Sequence, residues 1–70
     1  MIKLRDMAYA LEKQEAKQRV ILEDYRTGRQ CYEGTAEDLA DYSGIDYKKV
    51  VGVKVLKDGT LKLYIRNPLY

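Results

Sequence analysis

The chain has 70 residues, 34% of them charged, with a formal net charge of +2, one cysteine and no histidine. A chain of this length makes one domain with a small core, in which burial and chain entropy nearly cancel. The missing histidine removes imidazole-based nucleophile activation, imidazole acid–base catalysis and the usual zinc ligand sets, and a lone cysteine excludes an internal disulfide.

Residues 3–17 read as an amphipathic helix, because Leu4, Met7, Ala8 and Leu11 recur at helical spacing. Asp6 near its start and Lys13 and Lys17 near its end suit the helix dipole. Arg19–Tyr25 follows as a strand. Arg26-Thr27-Gly28 is expected to form a turn with Gly28 left-handed, and Arg29–Gly34 to return as the second strand. That loop pairs Tyr25 with Arg29, Leu22 with Tyr32 and Val20 with Gly34. Val20, Leu22 and Tyr32 then share one face; Ile21, Glu23, Tyr25, Cys31 and Glu33 share the other.

Residues 35–40 read as a short helix capped by Thr35 and anchored by Leu39. A second hairpin spans Val50–Leu56 and Thr60–Arg66. A two-residue Asp58-Gly59 loop would mix apolar and polar side chains on each face. The three-residue loop Lys57-Asp58-Gly59 pairs Val55 with Leu61, Val53 with Leu63 and Val51 with Ile65, and assigns all six to the core. On the opposite face it sets Lys54 across from Lys62, Tyr64 across from Gly52, and Val50 across from Arg66. Tyr64 is expected to cover the strand glycine. Asn67-Pro68 ends the strand, and Leu69-Tyr70 forms a short apolar tail.

The expected fold is therefore one α+β domain over residues 1–70, in the order α-β-β-α-β-β. Its sheet is four-stranded, mostly antiparallel and covered on one face by the N-terminal helix. No stretch is apolar enough to span a membrane, and the first residues lack a signal-peptide apolar region, so a cytoplasmic protein is expected. Cys31 reads as a small filler in a strand, with no histidine to activate it. No Gly-rich phosphate loop, cofactor motif or metal-ligand spacing is present. Carboxylate pairs such as Asp41 with Asp46, or Glu33 with Glu37, are ordinary in a chain this charged and define no catalytic site.

The run from Arg19 through Tyr25-Arg26-Thr27-Gly28 to Cys31-Tyr32-Glu33-Gly34-Thr35 resembles a recurring texture of small uncharacterised proteins carried by phages and prophages of Firmicutes. The resemblance is one of element order across most of the chain. It implies an accessory role on a mobile element, located in the host bacterial cytoplasm. For some such proteins that role is inhibition of a host defence system. It assigns no site residues.

Two functions follow as expectations. The first is a non-enzymatic protein-binding module without cofactor, directed at a host protein or complex. All seven aromatics are tyrosines, which supply contact area with a polar tip. Tyr64 and Tyr25 are its expected anchors, on the sheet face away from the core. Residues 30–47 hold five acids and no base, and this segment could mimic nucleic-acid phosphates. The second function is binding of RNA or a nucleotide signal by the basic patch Lys54, Lys62, Tyr64 and Arg66. Glu23 and Glu33 would weaken that patch if the first hairpin adjoined the last strand. A homodimer is expected to supplement the small core.

Overall fold

The structure is a computed structural model that describes residues 2–45 and 47–66. Among them are five strands and two α-helices. The strands are β1 (Ile2–Lys3), β2 (Arg19–Asp24), β3 (Gln30–Thr35), β4 (Lys49–Val55) and β5 (Leu61–Arg66); the helices are α1 (Leu4–Gln14) and α2 (Ala36–Ala40). One mixed sheet runs in the order β1-β4-β5-β2-β3. The two hairpins, β2–β3 and β4–β5, are joined by parallel pairing of β2 with β5. The α+β class holds. The sheet has a fifth strand, because Ile2 and Lys3 extend to pair with Val50 and Lys49 before the chain turns into α1.

The helix is shorter than residues 3–17. Glu15 leaves the helical region at φ −156°, and its carboxylate and carbonyl accept the Lys17 and Gln18 N–H groups in a return turn. That turn also serves α2. Gln18 and Ala16 carbonyls accept the N–H groups of Ala36 and Glu37, and Thr35 Oγ1 accepts from Asp38 N–H. Three of the four orphan donors at the start of α2 are thus satisfied by neighbours rather than by water.

Both helices pack on one side of the sheet. Leu4, Ala8, Ala36, Leu39 and Ile45 meet Val20, Leu22, Val50, Leu63 and Ile65 in a single buried cluster, with Met7, Leu11 and Tyr32 packed against it. Leu4, Leu22, Leu39, Leu63 and Val20 are the largest fully buried side chains.

Register follows the sequence reading near the middle of each hairpin and departs at one bulge in each. In β2–β3, Leu22 opposes Tyr32 and Val20 opposes Gly34, as expected, but Glu23 opposes Gln30. Asp24, not Tyr25, is bonded to Arg29. The reason is the Asp24 side chain, which accepts the Arg26 N–H at 2.8 Å and starts the turn one residue earlier. Tyr25 N–H is thereby released to donate to the Ile65 carbonyl of β5 at 2.9 Å.

In β4–β5 the three-residue loop is present: Leu56 N–H donates to Thr60 O, and Gly59 N–H to Leu56 O. Gly28 and Gly59 have φ of 75° and 91°, the left-handed conformation each turn demands. Val55–Leu61, Val53–Leu63, Lys54–Lys62 and Gly52–Tyr64 pair as expected. A bulge at Val51 then shifts the register, so Val50 opposes Ile65 and Lys49 opposes Arg66. The buried residue is Val50, in place of Val51.

Val53 and Val55 are not core residues; they are 51% and 65% exposed, while Leu61 is half-buried. Helix α1 begins at the β1–β4 end, where Leu4 N–H donates to the Lys48 carbonyl. It then packs beside α2 over the middle of the sheet, so the later half of β4 is left uncovered. The expected Leu69-Tyr70 tail lies outside the described residues.

Candidate binding face

Among the described residues the second face of the sheet carries no helix. Strand parity puts Lys54, Lys62, Ile21 and Glu33 in one cross-strand row, and Gly52, Tyr64, Glu23 and Gln30 in the next. A third row holds Lys3, Lys49 and Arg66 on β1, β4 and β5. The five residues singled out from sequence, Tyr64, Tyr25, Lys54, Lys62 and Arg66, are all at this face or its end. They do not behave as one basic patch.

Lys62 Nζ lies 2.7 Å from Glu23 Oε1, with both side chains largely shielded (26% and 20% exposed). The same ammonium sits 5.7 Å from the Tyr64 ring centroid. The hydrogen bond to Glu23 raises the Lys62 pKa above its ordinary value. Parallel β2–β5 pairing produces this contact: it sets Glu23 beside Tyr64 and Ile21 beside Lys62. Lys62 is thus neutralised within the chain. Lys54, Arg66, Lys49 and Lys3 have no acidic partner among the described residues.

Tyr64 covers Gly52 closely. A Cβ built at residue 52 would lie 3.3 Å from Tyr64 Cδ2. The ring is therefore partly structural, and partly buried. Tyr25 is different: its backbone is fixed by the bond to Ile65, while its side chain is 66% exposed. Its anchored backbone leaves only the rotamer freedom of the side chain to be lost on binding.

The other tyrosines divide by environment. Tyr32 stacks on Tyr42 at 5.0 Å between centroids, on the helix-covered side, and burial pushes the Tyr32 phenol pKa up. Tyr9 is exposed on α1, and Tyr47 stands 81% exposed before β4. The acidic segment does not form one surface. Glu33 pairs with Arg19 at 3.1 Å, and Glu37 pairs with Lys17 on a different element. Asp46 lies outside the described residues. Cys31 is exposed at the bulge of β3, with its thiol directed to the Arg29 carbonyl. Among the described residues no cluster of acidic residues or cysteine has the composition of a metal site.

Sequence reasoning missed Lys3 and Lys49 as members of this face. Helical spacing assigns Lys3 to the helix, and the alternation of the second hairpin starts only at Val50, after Lys49. The signal was present in Val50-Val51-Gly52, where two valines before a strand glycine allow a bulge, but nothing local says that the bulge forms. No family model, curated protein or solved structure matches the chain. No helix among the described residues is long and apolar enough to cross a membrane.

Proposed function

We propose that the chain is a non-enzymatic protein-binding module whose open sheet face docks on an acidic surface of a partner protein. The observation that supports this reading is the mixed character of that face. An exposed, backbone-fixed Tyr25 and the Tyr64 ring lie among cations that have no acidic partner among the described residues, and the central Lys62–Glu23 pair is already satisfied. Aromatic anchors carry most interface energy, while unpaired cations steer approach and set orientation. The role implied by the phage-like texture, inhibition of a bacterial defence complex, belongs to the same proposal.

The neutralised Lys62 argues against a nucleic-acid track, which needs continuous positive charge. The test is capture from a bacterial lysate on the tagged chain. Wild type is expected to retain a protein in stoichiometric amount, and Tyr25→Ala to lose it while keeping a native spectrum, since truncating an interface anchor costs about 2 kcal/mol or more. Lys54→Glu is expected mainly to slow association. Retention of nucleic acid instead, fading steeply with salt, would replace this reading with the RNA or nucleotide alternative.

A further inference from the structure

At the β1–β4 end of the sheet a concave pocket of about 360 Å³ opens between the start of α1 and the segment that enters β4. Ile45, 3% exposed, forms part of its wall, and Lys3, Lys48 and Lys49 line it. Arg5 adds a further cation to the lining, and Asp6 a carboxylate. A pocket of this size matches a small-molecule site rather than a duplex or a protein surface.

Two observations bear on its occupant. Lys3 and Lys49 are direct cross-strand partners, and Lys49 is the partner of Arg66 on its other side. Like charges set opposite one another disfavour the ladder unless an anion approaches them, and none of the three has an acidic partner among the described residues. Tyr47, at the rim, has φ 68°, a left-handed backbone that is an outlier for a bulky residue, and its ring is 81% exposed.

We propose that this pocket binds a phosphorylated small molecule of nucleotide size. Its phosphate sits on Lys3 and Lys49, and its ring or sugar lies against Tyr47. Lysines serve here as point charges for phosphate, and the Tyr47 face supplies stacking area. The site adjoins the proposed docking face and shares its Lys3–Lys49 end. Tyr47 and the Lys3–Lys49 pair distinguish the pocket; Tyr25, Tyr64 and Lys54 distinguish the docking face.

The test is a titration of the full chain, followed by backbone amide NMR, with ATP, pyrophosphate and adenosine as probes. ATP and pyrophosphate are expected to shift the amides of Lys3, Tyr47, Lys48 and Lys49 saturably, with Kd below about 1 mM. Adenosine alone is expected to bind far more weakly. The double variant Lys3→Glu, Lys49→Glu should raise the ATP Kd at least about tenfold, as loss of charge-assisted bonds requires. Lys54→Glu, on the same strand but outside the pocket, should leave it within about twofold.

Tyr47→Gly supplies an independent readout and serves if the double variant fails to fold. It should keep or raise thermal stability, because glycine relieves the left-handed backbone, yet weaken ATP relative to pyrophosphate. The proposal is overturned if neither ATP nor pyrophosphate gives saturable shifts, if the shifts centre on Lys54, Lys62 and Tyr64, or if Lys54→Glu weakens binding as much as the double variant. It is equally overturned if a short single-stranded RNA binds far tighter than ATP with shifts spread along the whole face.

Discussion

The two hairpins of this protein use the same materials and reach different outcomes. Each has a glycine-closed turn and one bulge, but the bulges lie at opposite ends. In β2–β3 the irregularity sits next to the turn, between Leu22 and Glu23, so the core residues Val20 and Leu22 keep their partners. In β4–β5 it sits far from the turn, between Val50 and Gly52. There it chooses which valine is buried and brings Lys49 onto the face of Arg66 and Lys3. A bulge near a turn edits the turn; a bulge at the far end edits the surface. That second edit creates the cation row at the β1–β4 end.

The sharpest way to break this comparison is across one pair of β4–β5. Leu63 is fully buried and its direct partner Val53 is half-exposed. Leu63→Ala should cost about 2–5 kcal/mol in chemical denaturation, and Val53→Ala under about 0.5 kcal/mol. Equal losses would mean that β4 is covered along its whole length.

The turns give the next largest effect. A Cβ at Gly28 or Gly59 meets nothing within 4 Å, so substitution strains only the backbone. Gly59→Val and Gly28→Val should each lower stability by about 1–2 kcal/mol. Unequal losses would show that one hairpin tolerates a different turn.

Val50→Ala should cost about 1.6 kcal/mol for two buried carbons, and Val51→Ala distinctly less. The reverse order would restore the unbulged register.

The smallest effect is a pH dependence. Lys62 has a raised pKa in the folded state because Glu23 bonds it. Its stabilising contribution is therefore complete below the unfolded lysine pKa of about 10.4 and is lost as pH rises through the higher folded value. The stability gap between wild type and Lys62→Gln should be constant from neutral pH to about pH 9.5 and shrink above about pH 10.5. A gap near zero at every pH would place the Lys62–Glu23 contact in solvent.

What was legible in the sequence was what local chemistry determines. Apolar spacing located α1, Thr35 marked the start of α2, and the alternation of Val53, Val55, Leu61 and Leu63 selected the three-residue loop. Gly52 foretold Tyr64 as its cover. What escaped depends on neighbours distant in the chain. Val53 and Val55 alternate like core residues, and only the path of α1 leaves them in solvent. Tyr25, released by the Asp24 turn, finds its backbone partner in the Ile65 carbonyl of β5, which the hairpin alone does not reveal. Lys62 lost its free charge because β2 was that neighbour. Candidate residues were thus found individually, while their grouping required the sheet order.

The parallel pairing of β2 with β5 also has a consequence for the order of events during synthesis. Each hairpin can close on its own, since its strands are adjacent in the chain. Val20, however, waits for Leu61, and Tyr25 for Ile65. Until the last strand has left the ribosome, β2 has one edge unpaired and Leu22 lacks the neighbour that completes its burial. Such nascent chains are exposed to wrong pairing for as long as β5 is delayed. Shortening the chain before Leu61 therefore does not leave a smaller protein; it leaves a β2–β3 hairpin and a helix with no sheet centre to join.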